Sequence, residues 1–270
     1  MNAAIDEQEL TETFAKAKRL QQEDPSQQNS EPVIRLYQQI VNYDPVARGI
    51  VTRNEQIIKL KEDSIYQLAE IYARLKQPQE LRQLNETIRP FFSDLAKAKT
   101  AKIVRTIIEL VGTIENTLDT QIDICRESID WSTREKRNFL RQRIESRLAA
   151  LYFEKKDYPS ALNLINKLSR EVRRLDDKAL LVEIHLLESR IQHALKNVPK
   201  ARAALTAGRT AANSIYCPPL LQADIDMQSG ILHAEEKDYK TAFSYFFEAF
   251  EGYNSLGQEA LMGGQQAILC

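Results

Sequence analysis

Lys156-Asp157-Tyr158-Pro159-Ser160-Ala161 is the first of three similar stretches in this sequence. Lys196-Asn197-Val198-Pro199-Lys200-Ala201 and Lys237-Asp238-Tyr239-Lys240-Thr241-Ala242 follow it, so that the three alanines are 40 and 41 residues apart. Each stretch has the composition of a helix-turn-helix connection, and each alanine begins an apolar run of helical periodicity. Such recurrence is typical of stacked tetratricopeptide-like hairpins, and it predicts an all-α solenoid whose function is to hold partners.

Six residues of these stretches are predicted to pack the repeats together. A small side chain near the start of the second helix of a hairpin lets the two helices approach closely, which explains an alanine at that position. The predicted packing residues are Tyr158, Ala161, Pro199, Ala201, Tyr239 and Ala242.

The composition agrees with a helical, folded protein. The 270 residues include 8 glycines and 9 prolines, whereas average usage would give about 19 and about 14. No apolar run reaches the roughly 18 residues that a membrane-spanning helix needs, so no membrane partner is expected. The formal net charge of −1 provides no long-range field for nucleic acid, and the expected partners are therefore proteins.

The cysteines and the N-terminus bear on the cellular compartment. Cys125, Cys217 and Cys270 are odd in number and far apart, so neither a disulfide framework nor a zinc site is predicted. The first twenty residues mix acidic and apolar side chains and lack a signal-peptide core. Together these features predict a reducing compartment, the cytoplasm together with the nucleus.

Motifs for catalysis or cofactor binding are missing from the sequence. It contains no glycine-rich phosphate loop, no Gly-x-Ser-x-Gly and no His-Glu-x-x-His. His185 and His193 could share a helical face with Glu188, but without a third ligand we expect ordinary, partly buried histidines, and His233 stands alone. We therefore expect no enzyme activity, no catalytic residues, no cofactor, no metal site and no small-molecule substrate.

The hairpin pattern weakens toward the N-terminus. Pro78 and Leu81 lie eighty residues before Tyr158 and Ala161, and Leu118 occupies the intermediate register together with Gln121. We therefore divide residues 1–256 into clear repeats at 131–256, degenerate repeats at 61–130 and a poorly matched region at 1–60. The local pattern predicts a loop over 21–32, a turn at Asp44-Pro45, a helix over 54–75 and a helix cap at Ser93-Asp94 after the break at Pro90.

Two groups of side chains leave alternatives open. The last hairpin places aromatic residues on one helical face, for which we expect core packing, with a partner-facing edge as the alternative. Two basic clusters are interleaved with acidic residues, which favours a salt-bridged surface over a site for an acidic protein partner. Trp131 is expected at a repeat interface. The aromatic residues are Tyr239, Phe243, Phe246, Phe250 and Tyr253; the basic clusters are Arg134, Lys136, Arg137, Arg141 and Arg143, then Arg170, Arg173 and Arg174.

Longer stretches carry a resemblance to a known family. The runs 175–183, 199–206, 215–219 and 242–253 resemble the PCI-domain lid subunits of the 26S proteasome regulatory particle. The resemblance covers residues 60–256 well and the first sixty loosely. It is more specific than the tetratricopeptide pattern alone.

The resemblance implies a right-handed solenoid followed by a PCI domain, and a non-catalytic scaffold that clamps the regulatory particle to the core particle in ubiquitin-dependent degradation. Implied partners are the core α-ring, the ATPase-ring subunits and other lid subunits, with the helices before Asn85 as candidate contacts. Residues 257–270 would be a truncated lead-in to the PCI domain, without its winged helix. The alternatives are a signalosome-type PCI subunit and a stand-alone peptide-binding adaptor. A groove lined by asparagines and basic side chains on successive first helices would favour the adaptor, whereas apolar and bulky groove positions would favour the scaffold.

Overall fold

The computed structural model describes residues 2–23, 30–43 and 55–255, and within these ranges the regular structure is helical. The predicted all-α class is confirmed. No helix in the described ranges is both long and apolar enough to span a membrane. The helices are α1 Asn2–Glu23, α2 Glu31–Val41, α3 Glu55–Arg74, α4 Pro78–Thr87, α5 Lys97–Gly112, α6 Leu118–Arg134, α7 Asn138–Glu154, α8 Tyr158–Leu175, α9 Lys178–Ala194, α10 Val198–Ala212, α11 Pro219–Glu235 and α12 Tyr239–Ser255, with a short 3-10 helix at Pro90–Ser93.

The turns repeat a left-handed residue at a fixed period. Lys76, Asn116, Lys156, Lys196 and Lys237 all have φ between 53° and 65°, and each lies 40 or 41 residues after the one before. A left-handed residue just after a helix lets its own amide and the amide of the next residue donate to the last carbonyls of that helix. These turns therefore show that the forty-residue period continues upstream of the three stretches in which the sequence reveals it.

The turn at Lys156 shows how the chain reverses direction. The amide of Lys156 donates to the Phe153 carbonyl at 2.9 Å, and the amide of Asp157 donates to the Tyr152 carbonyl at 2.8 Å. Asp157 then caps α8, because its carboxylate accepts from the amide of Ser160 at 3.2 Å. The same two residues thus end one helix and begin the next.

The two later turns use the same capping arrangement. The side chain of Asn197 accepts from the amide of Lys200, and that of Asp238 accepts from the amide of Thr241. Short polar side chains at these positions satisfy amides that would otherwise lack partners at the start of the second helix.

Two compact units make up the chain, residues 1–128 and residues 129–270. In the second unit, α7 packs on α8, α9 on α10 and α11 on α12, and each second helix also contacts the first helix of the next hairpin. The first helices contact one another as well, α7 with α9 and α9 with α11. This arrangement places the core both within and between hairpins. One cluster of buried side chains consists of Ala149, Ala161, Ile165, Leu168, Val172, Leu180, Leu181, Ile184 and Ile191.

In the first unit, α3 packs against α1, α2, α4 and α5. The predicted helix over 54–75 matches α3 closely. The predicted cap at Ser93-Asp94 is wrong: α5 begins at Lys97, and the Ser93 hydroxyl donates to the Pro90 carbonyl at 2.9 Å. The predicted turn at Asp44-Pro45 lies outside the described residues, as do residues 24–29 of the predicted loop over 21–32. The loop prediction is wrong at both ends, because residues 21–23 belong to α1 and residues 31–32 belong to α2.

The position of Ala201 in the core provides a test of the predicted packing role. We expect Ala201→Leu to lower the free energy of unfolding by ~1–3 kcal/mol, because its site is fully buried where α10 meets α9 and has no room for added methyl groups. Ala203→Leu is the control, since Ala203 is exposed on the same helix and should change stability by less than ~0.5 kcal/mol. Urea unfolding followed by circular dichroism measures both; equal, small effects would contradict the packing role.

Candidate protein-interaction surfaces

The residues predicted to pack the repeats fall into two groups. The three alanines are buried, and the half-buried ring of Tyr158 lies 5.9 Å from the ring of Phe153. Tyr239 is 67% exposed, which contradicts its predicted role: Ala234 occupies the place of Phe153 in the last hairpin and offers no ring to pack against. Pro199 is also exposed, in the first turn of α10, where a proline fits without losing a helical hydrogen bond.

The aromatic face of α12 is divided between core and surface. Tyr253 is buried, and Phe246 packs over Gly230, where an added Cβ would lie 2.5 Å from the ring. Phe243 is 70% exposed and Phe250 is exposed as well, so the expectation of core packing is wrong for these two. A helix of a hairpin buries one stripe of side chains, and α12 packs its buried stripe against α11.

A buried ion-pair network accounts for part of the first basic cluster. Arg141 donates to both carboxylate oxygens of Glu145 at 2.9 Å and to Glu171 at 2.5 Å. These charge-assisted bonds from Arg141 hold the pKa of Glu171 below its usual range. The predicted salt bridges are confirmed here, but the site is not solvated, because Arg141 and Glu145 are largely buried.

The first helices are joined to one another by ion pairs. Arg143 of α7 lies 3.3 Å from Glu183 of α9, and Arg190 of α9 lies 3.2 Å from Asp224 of α11. Arg143 also reaches Asp177, the residue that caps α9. These first-helix arginines are therefore paired with the neighbouring hairpin and are not free cations.

The remaining basic residues differ in their surroundings. The guanidinium of Arg137 lies 5.0 Å from the ring centre of Trp131, which is buried. A nitrogen of Arg173 lies 3.4 Å from a ring nitrogen of His185. Arg170 and Arg174 are exposed on α8, with no ion pair within the described residues.

The histidines have neighbours, but these do not form a metal site. His185 is buried, with Nδ1 3.1 Å from Glu188, and His193 lies 3.6 Å from Glu235. His233 stacks on the ring of Tyr245 at 5.5 Å. Within the described ranges, no group of three His, Cys, Asp or Glu side chains is arranged to hold a metal ion.

A buried carboxyl lies within the last hairpin. Asp226 of α11 is 5% exposed and accepts a hydrogen bond from Gln222 at 2.9 Å. Burial raises the pKa of Asp226, and the charge of Glu248 adds to this, although the bond from Gln222 and the charge of Arg209 oppose it. Its other carboxylate oxygen has no hydrogen-bond partner within the described residues. No pattern in the sequence indicated that this carboxyl is buried.

The candidate contact helices before Asn85 present a charged surface on α1. The Tyr37 hydroxyl donates to Gln21 at 2.9 Å, and the rings of Phe14 and Tyr37 meet edge to face at 5.8 Å. These contacts fix α1 on α2 and leave its outer side to solvent. Cations exposed on that side, with no ion pair within the described residues, are Lys16, Lys18 and Arg19.

Comparisons with known proteins place this architecture in a family. A family model described as the 26S proteasome regulatory subunit RPN6 N-terminal domain matches residues 10–155, more than half of the chain. The chain is 53% identical over 243 residues to the 26S proteasome non-ATPase regulatory subunit 11 homolog of Arabidopsis thaliana, covering 90% of this chain and 56% of that protein. It is 55% identical over 222 residues to the subunit 11 protein of Dictyostelium discoideum, with coverage of 82% and 54%. The chain spans about half the length of the curated relatives it matches.

Solved structures share the fold at low sequence identity. BtubC (BKLC) from P. vanneervenii aligns with a TM-score of 0.59 at 11% identity, covering 92% of each chain. The apo form of RapI aligns with a TM-score of 0.50 at 11% identity, covering 93% of this chain and 99% of that one. At this identity, the likeness shows the helical fold alone.

The network around Glu145 predicts a large difference between two nearby arginines. Arg141→Met should lower the free energy of unfolding by roughly 3–5 kcal/mol, because it leaves a buried carboxylate without its main cation. Arg143→Met is the control on the same helix and should cost only about 0–1 kcal/mol, since its ion pairs are partly solvated. Chemical denaturation compares them, and similar losses would show that burial of the pair contributes little.

The raised pKa of Asp226 predicts a specific pH dependence. The folded state holds the proton to higher pH than the unfolded state, whose aspartate pKa is about 4, so this group's contribution to stability falls as pH rises through the folded pKa. We expect the stability of Asp226→Asn relative to the unmodified chain to increase as the pH rises above the unfolded-state pKa of about 4. The exposed Asp130→Asn is the control; an Asp226→Asn difference equally flat with pH would exclude the shift.

Proposed function

This chain belongs to the Rpn6 family of 26S proteasome regulatory subunits, also called non-ATPase regulatory subunit 11, and on that basis we propose that it is a non-catalytic scaffold of the lid. In this role it clamps the regulatory particle to the core particle in ubiquitin-dependent degradation. The observation that carries the proposal is the 53% identity over 90% of the chain, which spans both compact units.

The paired first helices support a scaffold over a peptide-binding adaptor. An adaptor needs free basic side chains along its groove to hold a peptide carboxylate. Arg143 and Arg190 are instead engaged by acidic side chains of the next hairpin. A ligand carboxylate would have to displace an internal carboxylate to bind either one, which disfavours the adaptor.

The proposed partners are the core α-ring, the ATPase-ring subunits and other lid subunits, in the cytoplasm and the nucleus. We assign the contact with the rings to the exposed side of α1. The packing of α1 on α2 positions its cations, Lys16, Lys18 and Arg19, and none of them forms an ion pair within the described residues. Exposed charges at the rim of an interface set orientation and association rate, which suits a subunit that must find one position in a large assembly.

A pull-down with purified components tests both the function and the surface. The tagged chain should retain core particle and ATPase-ring subunits at physiological salt. Lys18→Glu combined with Arg19→Glu should reduce retention at least about tenfold, the equivalent of ~1.4 kcal/mol, by placing like charges against the partner.

Arg170→Glu combined with Arg174→Glu is the matched control, because it reverses two exposed cations on α8 in the other compact unit and should leave retention unchanged. Failure of the unmodified chain to retain any proteasome component would contradict the scaffold. Retention by the chain and both variants alike would reject only the α1 surface.

A further inference from the structure

A small cleft lies between α2 and α4 in the first unit, with α3 at its base. It encloses about 120 Å³, whereas a cavity of ~150 Å³ holds benzene, so the cleft has room for the planar end of a long side chain. The base is buried and the walls are polar. The base consists of Leu68, Tyr72 and Leu84, and the walls include Gln38, Glu80 and Gln83.

A hydrogen bond joins one wall of the cleft to its base. The amide nitrogen of Gln38 donates to the Tyr72 hydroxyl at 2.8 Å. The amide oxygen of Gln38 takes no part in this bond and stays available as an acceptor. This bond therefore holds an uncharged acceptor beside the buried ring of Tyr72.

Glu80 supplies the negative charge of the cleft. It is half-buried in the first turn of α4 and forms no ion pair within the described residues. Burial raises the pKa of Tyr72, the bond from Gln38 opposes this, and the charge of Glu80 adds to it. The carboxylate of Glu80 therefore acts on the hydroxyl at the base. No basic residue is among the described residues that line the cleft.

These groups match a guanidinium better than other ligands. A guanidinium is planar, carries five N–H donors and binds a carboxylate through two parallel hydrogen bonds. It is weakly hydrated and stacks on aromatic faces, which suits a base formed by Leu68, Tyr72 and Leu84. An ammonium is a strongly hydrated point charge and gains less from such a base. An anion would be repelled by Glu80.

We propose that this cleft binds the side chain of an arginine presented by a partner protein. The proposal concerns the chemistry of the first unit by itself and does not depend on the proposed scaffold role. One arginine in one cleft makes a weak contact, so it would fix the position of a larger interface whose other contacts supply most of the affinity.

Binding of a minimal arginine ligand to the whole chain tests the proposal. The probe is N-acetyl-arginine amide, and its uncharged isostere N-acetyl-citrulline amide is the ligand control. Nuclear magnetic resonance of ¹³C-labelled tyrosine follows the ring of Tyr72, whose signal is identified with Tyr72→Phe. We expect a saturable shift of this signal with a dissociation constant in the millimolar range, and binding of the citrulline compound at least about tenfold weaker.

Two variants of α4 connect the binding to the cleft. Glu80→Gln keeps the shape of the side chain and removes its charge, so it should weaken binding of the arginine compound at least about tenfold. Glu86→Gln is the matched control, because Glu86 is exposed on the same helix and does not line the cleft. Gln83→Trp changes an exposed wall residue and should block entry without altering Glu80.

Several results would overturn the proposal. These are a shift that does not saturate, equal binding of the citrulline compound, or undiminished binding in Glu80→Gln or Gln83→Trp. Equal binding of N-acetyl-lysine amide would overturn the assignment to arginine, because a site for any cation would not distinguish the two. Each result is obtained without proteasome components, so it is separate from the outcome of the pull-down.

Discussion

A helical hairpin cannot cover its own apolar face, and the stacking of one hairpin on the next satisfies that constraint in the second unit. The stack tolerates little variation where paired helices come closest, and Ala161, Ala201 and Ala242 occupy that position with their side chains buried. The left-handed turn before each second helix sets the register that brings the alanine there. The helix ends, the turn geometry and the core packing therefore recur together in each hairpin.

Several charged side chains of the second unit form ion pairs within the stack of hairpins. Arg141 forms ion pairs with Glu145 and Glu171, and the ion pairs of Arg143 and Arg190 link successive first helices. Partly buried polar pairs of this kind favour one neighbour over another more than they add stability. The exposed cations of α1 and the exposed aromatic side chains of α12 take no part in this pairing. A family of proteasome regulatory subunits, whose members work inside a large assembly, is consistent with such a division of surface.

The sequence predicted the repeat clearly where the same side chains recur. The prediction was weak where only the backbone conformation of the turns recurs. Leu81 and Gln121 occupy the buried position that alanine fills downstream, so composition hides a register that Lys76 and Asn116 keep through their left-handed turns. Serine is common both at helix caps and in 3-10 turns, so the residue type at Ser93 does not distinguish the two. The hydrogen bond from the Ser93 hydroxyl to the Pro90 carbonyl identifies the 3-10 turn. Periodicity also placed Phe243 and Tyr253 together on one side of α12, although they lie about 80° apart around the helix axis, and this puts the first in solvent and the second in the core.

By itself, the sequence determined the all-α class, the forty-residue period, the turn positions of the clear repeats and the family resemblance, because each of these depends on residues close together in the chain. The tertiary structure alone decided which arginines are paired, that one oxygen of the buried Asp226 carboxylate has no hydrogen-bond partner among the described residues, and that Phe243 and Phe250 are exposed. Those outcomes depend on which residue about forty positions away meets a given side chain. A helical pattern fixes the face on which a residue lies, but the packing of the next hairpin decides what that face meets.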